Sequence, residues 1–290
     1  MNKAAGIMVQ TNFIMTNESA DRTGIVAALT ACLASHGGFI TELSQFGTPS
    51  SERFYSRIAF RIDDEVVTAF RADMKKVSEE FALKTNIIPA ERKTKTLIMV
   101  SKFDHCLADL LYRVGKGRLN CDIVGVVSNH MSAKPLADTA GLPYHHVPVT
   151  KETKPEAEAV LRKLASETGT ELIILARYMQ ILSDNLCSEY SGRIINIHHS
   201  FLPSFKGAKP YHRAYERGVK LIGATAHYVT ADLDEGPIIE QGIQRVDHTK
   251  TPAKLIDIGR DVEAQTLAEA VRLHTEHRAF LNGSKTVILP

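Results

Sequence analysis

The stretch Arg193–Gly207, RIINIHHSFLPSFKG, decides how this chain is read. It opens as an apolar strand over Arg193–Ile197 and then turns polar through Asn196, His198, His199 and Ser200. Asn196 and His198 stand two apart, so on extended backbone they share one side and His199 takes the other. Pro203 and Gly207 predict a turn directly after. An apolar strand that ends in polar groups delivers them to the carboxyl edge of a sheet, where open α/β sheets keep their sites.

The neighbouring sequence has the alternation such a sheet needs. Leu97–Ser101 is an apolar strand, His105–Val114 a helix, and Cys121–Val127 is nearly all apolar, as expected of a strand buried on both faces. Tyr144–Val147 is a short strand. Lys154–Glu167 is a helix with Ala157, Val160, Leu161 and Leu164 inward, and Leu172–Ala176 is the next strand. Leu221–Val229 and Ile238–Val246 predict an antiparallel addition. Thr251–Phe280 predicts a long helical region, and Lys285–Leu289 a last strand. The fold class is α/β, with a Rossmann-like doubly wound sheet in this part of the chain.

Residues 8–89 follow a different order. Asn12–Thr16 reads as a strand and Asn17–Gly24 as a turn with capping residues. Ile25–Ser35 has helical spacing and is stopped by His36-Gly37-Gly38. Phe39–Phe46 and Phe54–Ile62 are strands joined by a turn at Gly47–Ser51, Glu65–Phe81 is a helix and Lys84–Ile88 a strand. The order βαββαβ predicts a ferredoxin-like antiparallel sheet with two helices. The polar, proline-containing run Pro89–Thr96 (PAERKTKT) reads as a linker over 90–96, leaving 97–290 as the second domain.

Composition narrows the function. The formal net charge is +2 with no long basic run, which argues against nucleic acid or an acidic membrane as partner. Cys32, Cys106, Cys121 and Cys187 are scattered, so buried thiols in a reducing compartment are expected rather than disulfides or a zinc site. The first residues lack the form of a signal peptide. No run approaches the roughly 18 apolar residues of a membrane span, so the expected location is cytoplasmic.

The turn Asp21-Arg22-Thr23-Gly24, within the βαββαβ order, resembles the ACT family of small regulatory domains. The resemblance implies a small amino-acid effector at Asp21, Arg22, Thr23 and Gly24, and a homodimer or homotetramer. A plain dimerisation module is the alternative.

A second polar segment, Thr225–Pro237 (TAHYVTADLDEGP), runs from a strand into an acidic loop. A solvated loop or a hard-cation site would also suit it, although its spacing matches neither an EF-hand nor common zinc patterns. Asn196-Ile197-His198, Leu202-Pro203 to Gly207, and Leu233-Asp234-Glu235-Gly236-Pro237 together resemble the formyltransferase family, which includes glycinamide ribonucleotide and methionyl-tRNA formyltransferases. The resemblance covers Thr96 to the C-terminus and makes Asn196, His198 and Asp234 the catalytic set. Asn196 and His198 would stabilise the oxyanion formed from the formyl oxygen. His198 would pass a proton to the leaving nitrogen, and Asp234 would orient and deprotonate the attacking group. The run Leu175–Leu182 (LARYMQIL) matches the family's pterin turn. It nominates Met179, Gln180, Ile181 and Leu182, with His199 and the backbone of Ala231, Asp232 and Leu233, as folate contacts. Met179 and Ile181 suit a core position equally well. No bound metal or cofactor is implied: 10-formyltetrahydrofolate is the substrate.

The acceptor follows from what replaces a phosphate seat. In the glycinamide-ribonucleotide members, a glycine-rich turn after the first strand holds the substrate phosphate. Here Ser101–Cys106 (SKFDHC) has no glycine, a bulky Phe103, and Asp104 at a helix start, where a carboxylate repels phosphate. Fusion of an ACT-like domain to the formyl-transfer domain resembles the branch of the family that uses water. That implies hydrolysis of 10-formyltetrahydrofolate to formate and tetrahydrofolate, with formate feeding purine (IMP) synthesis. His199, Lys206 and Tyr211 are further candidates to hold water or close the pocket. Transfer to an unidentified amine, or amino-acid sensing with an inactive enzyme domain, are the alternatives.

Overall fold

A computed structural model describes residues 10–48, 52–200, 202 and 210–290. Phe201, the run 203–209 with Lys206, and part of the expected Gly47–Ser51 turn lie outside them. The chain divides into two units.

The first unit runs β1 (Gln10–Ala20), α1 (Ile25–Ser35), β2 (Phe39–Thr48), β3 (Arg53–Asp63), α2 (Val67–Glu80) and β4 (Lys84–Pro89), with a single 3-10 turn at Asp64–Val66. Its strands lie in the order β2-β3-β1-β4, all antiparallel, which is the expected ferredoxin-like arrangement. Met15, Leu29, Phe60 and Phe70 form its core. β1 extends four residues past the expected strand end at Thr16 because Asn17 and Ser19 are buried and satisfied within the sheet. Asn17 Nδ2 donates to Ser56 Oγ at 3.0 Å and Asn17 Oδ1 accepts from Thr85 Oγ1 at 2.8 Å. Buried amides with partners do not break a strand.

The unit also takes in Glu276–Phe280 and Val287–Pro290. Arg278 clasps both oxygens of Glu42 at 2.8 and 3.0 Å, the buried Arg57 donates from Nε to the Glu276 carbonyl at 2.8 Å, and Tyr55 meets Phe280. A bidentate guanidinium–carboxylate pair is geometrically specific as well as strong. The chain therefore does not divide into contiguous domains at 97–290: its last residues belong in part to the first unit.

The second unit holds β5 (Thr94–Val100), α3 (His105–Gly115), β6 (Cys121–Ser128), α4 (Lys134–Thr139), β7 (Tyr144–His146), α5 (Lys154–Thr168), β8 (Leu172–Leu175), α6 (Asp184–Glu189), β9 (Ile194–His198), α7 (Pro210–Glu216), β10 (Leu221–Tyr228), β11 (Ile238–Arg245) and α8 (Pro252–Thr275). A hairpin, β12 (Ala279–Asn282) with β13 (Lys285–Ile288), ends the chain, so the helical region stops short of Phe280. The strand order is β11-β10-β9-β8-β5-β6-β7. From β9 to β7 the strands are parallel, and β10 and β11 add antiparallel. This is the doubly wound sheet, with its strand order reversing between β5 and β8.

Two local expectations change. The linker is only residues 90–93, because Thr94 and Thr96 are buried in β5. In α5, Val160 faces solvent while Glu158 is buried, receiving the Ser183 backbone N–H at 2.7 Å and the Ser183 hydroxyl. All four cysteines are free and buried. Among the described residues no helix is long and apolar enough to cross a membrane.

Candidate active site

β9 and β10 pair antiparallel, with His198 opposite Thr225 and Asn196 opposite His227. Thr225, fully buried, ties down the exit of β9. Its hydroxyl donates to the Ser200 carbonyl at 3.0 Å and accepts from the Leu202 N–H at 3.2 Å and Gln241 Nε2 at 3.1 Å. The loop after β10 folds back over its own strand. Gly236 makes this possible: a Cβ there would stand 1.7 Å from the Tyr228 carbonyl oxygen. Asp234 adopts left-handed backbone (φ 58°) and so reaches both histidines.

Asn196, His198 and Asp234 are thus brought together. His198 Nδ1 lies 3.2 Å from Asp234 Oδ2, and His227 Nε2 lies 3.7 Å from Asp234 Oδ1. The hydrogen bond from His198, and then the one from His227 when its ring is protonated, hold the Asp234 carboxyl well below the usual carboxylate range. His227 is a site residue that the sequence reading passed over, although it stands in the quoted Thr225–Pro237 run. Its Nδ1 donates to the Tyr228 carbonyl at 2.9 Å, so in the neutral ring Nε2 accepts from Asn196 Nδ2 at 3.2 Å. That bond orients the Asn196 amide.

These groups line a cavity of about 670 Å³. One wall is apolar: Leu175, Met179, Ile181, Leu182, Val229 and Leu233. Met179, Ile181 and Leu233 are 55%, 61% and 57% exposed, so they are cavity rim rather than core filling. Gln180, Ala231 and Asp232 also line it. The Met179 backbone N–H donates to Ser101 Oγ at 3.0 Å, which fixes the rim loop. His199 also lines this cavity, contrary to strand alternation, because β9 ends at His198. Its ring centroid lies 5.1 Å from that of His198 and 6.5 Å from that of Tyr211. Burial, and then the charges of Arg177 and His198, lower its pKa to about 4.

The lining also holds a polar cluster that was not foreseen beyond Tyr211. Glu263 on α8, 1% exposed, accepts from the Tyr211 hydroxyl at 2.7 Å and from His105 Nε2 at 2.9 Å, with Arg177 Nε at 3.3 Å. Burial alone would raise the Glu263 pKa. The His105 hydrogen bond, the Arg177 charge and the Tyr211 hydroxyl outweigh it, and the net shift is down. His105, Cys106 and Glu263 also place three metal-ligand atoms within 4.8 Å of one another. Both Glu263 oxygens are already engaged, and burial, then Glu263, keep the Cys106 thiol protonated. An ion would first have to displace these donors.

In the first unit, Arg22 lies 4.3 Å over the Phe81 ring, the Asp21 carboxylate packs against Gly47, and Gly24 (φ 98°) caps α1.

The family model for formyl transferases matches residues 94–271. Formyltetrahydrofolate deformylase from Corynebacterium sp. (strain P-1) is 50% identical over 282 residues, covering 97% of this chain and 99% of that protein. The crystal structure of formyltetrahydrofolate deformylase from Burkholderia mallei ATCC 23344 superposes with TM-score 0.93 at 50% identity, over 97% of this chain and 100% of that one. This chain belongs to the formyltetrahydrofolate deformylase family. The deformylase match spans both units. The structure of glycinamide ribonucleotide transformylase 1 from Symbiobacterium toebii aligns at 30% identity and TM-score 0.64, over only 69% of this chain and 95% of that one. What sets this deformylase-family chain apart from that transferase thus includes a segment the transferase lacks.

Proposed function

We propose that this chain hydrolyses 10-formyltetrahydrofolate to formate and tetrahydrofolate. The observation that carries the reading is the meeting of Asn196, His198 and Asp234 in a cavity whose lining holds an apolar wall suited to a pterin and a polar cluster suited to water. The folate ring lies against Met179, Ile181, Leu182 and Leu233, with Gln180 and the Ala231–Leu233 backbone at its edge. Asn196 Nδ2 donates to the formyl oxygen as it becomes an oxyanion, and His198 joins it as a donor once its free ring nitrogen has taken up a proton. His198 takes a proton from water and returns it to the leaving nitrogen. Asp234 stays ionised, held so by the hydrogen bond from His198. It orients His198, supports its charge and aligns the water. Neutral His199, beside Tyr211, is the nearest additional group for that water. The test is formate release with folate substrate and no acceptor. Wild type turns over and Asp234→Asn falls by about 10²-fold or more; no release by wild type rejects the reading.

Three finer readings belong here. A small amino-acid effector at Asp21–Gly24 is supported by the ferredoxin-like order, and calorimetry with free amino acids tests it. Pairing of chains into a dimer or tetramer is supported by exposed Phe39, Leu43 and Phe46 on the edge strand β2; a monomer in sedimentation rejects it. A cytoplasmic enzyme supplying formate to purine synthesis is supported by four free thiols, and cell fractionation with a formate-requirement test checks both parts.

A further inference from the structure

The turn that presents Met179 and Ile181 to the cavity has no regular structure of its own: residues 176–183 lie between β8 and α6 and belong to neither. Arg177, near its start, holds left-handed backbone (φ 65°), a costly conformation for a residue with a Cβ. Tyr178 and Leu182 are buried and anchor the turn in the core, but Met179 and Ile181 stand exposed. A second cavity, of about 20 Å³, is lined in part by Tyr178, Gln180, Ile181 and Leu182, so packing around the turn is incomplete there too. Two side chains from outside hold it. Ser101, one residue past β5 and buried, accepts the Met179 N–H at 3.0 Å and donates its own hydroxyl to Asn129 Oδ1 at 2.7 Å. At the other end stands Glu158 on α5, buried on the same helix face as Leu161 and Ala165. Its carboxylate accepts the Ser183 N–H at 2.7 Å and the Ser183 hydroxyl. Arg162 Nη2, one helical turn along, is 3.8 Å away. A carboxylate taken out of water is costly unless such donors replace the water. Ser183 Oγ in turn accepts the Leu186 N–H at 3.3 Å, so the same carboxylate fixes the start of α6.

The backbone is thus pinned at Met179 and again at Ser183, with Ile181 between the pins. We propose that Ser101 and Glu158 are positioning residues for folate recognition: they hold this turn so that Met179 and Ile181 meet the pterin, and so set the affinity for folate. Neither side chain lines the main cavity, and neither is assigned contact with folate or with the reacting atoms. Their effect reaches the substrate through the turn. An apolar wall held ready in this way is met alike by the ground state and the transition state, so its loss falls on binding rather than on turnover. This inference rests on the folate reading of that wall.

The experiment pairs steady-state kinetics on 10-formyltetrahydrofolate with calorimetric binding of tetrahydrofolate, in wild type, Ser101→Ala, Ser183→Ala, Ser183→Thr and Glu158→Gln. Ser101→Ala strips the Met179 N–H of its acceptor, and Ser183→Ala strips the buried carboxylate of a donor. In both, the proposal expects KM and Kd to rise about tenfold with kcat within about threefold of wild type. Glu158→Gln keeps one acceptor oxygen and shows a smaller rise of the same kind. Ser183→Thr keeps both donors and stays within about twofold of wild type. KM and Kd unchanged in both serine-to-alanine variants overturn the proposal. So does a fall in kcat with Kd unchanged, or a Ser183→Thr variant as impaired as Ser183→Ala. If Glu158→Gln does not fold, the two serine-to-alanine variants, each lacking a single hydroxyl, decide. A wild type that neither binds tetrahydrofolate nor releases formate rejects the folate reading instead.

Discussion

His227 faces Asn196 across the β9–β10 ladder, with its Nε2 3.2 Å from the Asn196 amide nitrogen and its Nδ1 spent on the Tyr228 carbonyl. The histidine thereby sets which way the amide points. His227→Phe keeps the ring volume and removes the acceptor, so the Asn196 amide is free to present its oxygen instead of its N–H. Steady-state kinetics should show kcat reduced by about 10- to 100-fold with KM little changed, since the loss falls on an interaction made in the transition state.

Asp234 titrates below its ordinary range, and the sign of its linkage to stability follows. A carboxyl whose folded pKa is depressed contributes stability above its unfolded pKa, near about 4, and loses it as pH falls through the folded value. The stability that Asp234 adds over Asp234→Asn, from urea denaturation, should fall as pH drops below about 4, where the unfolded carboxyl takes up its proton and the folded one does not. The acid limb of activity should not come from Asp234. A difference that stays constant from about pH 4 down to about pH 2 contradicts the His198–Asp234 geometry.

His199, with a pKa of about 4, is neutral where the enzyme works. Its folded pKa lies below the unfolded value near about 6.5, so the unfolded chain binds the proton first. The stabilising effect of the neutral ring is therefore complete above about pH 6.5 and declines as pH falls toward 4. An NMR titration should find the His199 ring uncharged at pH 6. His199→Gln should flatten the stability profile between pH 6.5 and pH 4.

Gly236 is where the loop that carries Asp234 touches its own strand. Gly236→Ala places a methyl 1.7 Å from the Tyr228 carbonyl oxygen, so the loop has to move and Asp234 with it. Activity should fall by about 10²-fold. The melting temperature should drop by a few degrees, as expected for about 1–2 kcal/mol of backbone strain. An unaltered rate would mean that the loop can place Asp234 in another way.

Local periodicity made most of the fold legible. Ile25–Ser35 is a helix to the residue, and the strand–helix alternation from Leu97 led to the doubly wound sheet. The misreadings fall where a tertiary partner overrides polarity. Thr94 and Thr96 read as linker but are buried in β5, and Asn17 reads as turn but finds Ser56 and Thr85. At the site, Asn196 and His198 stood out because they end an apolar strand, and Asp234 because of its acidic loop. His227 looked like one more strand residue, since its importance depends on the register with β9. Arg177 and Glu263 were illegible for the same reason: 86 positions of sequence separate them, and only the packing of α8 against the sheet unites them on the Tyr211 hydroxyl side of the cavity.

The central claim is that water, activated beside His198 and Asp234, ends up in formate. A single turnover of 10-formyltetrahydrofolate in ¹⁸O-labelled water, with no amine present and formate read by mass spectrometry, tests this most directly. The account predicts one labelled oxygen per formate for wild type, and almost no formate on the same timescale for Asp234→Asn. Unlabelled formate, or release by Asp234→Asn at the wild-type rate, would contradict it.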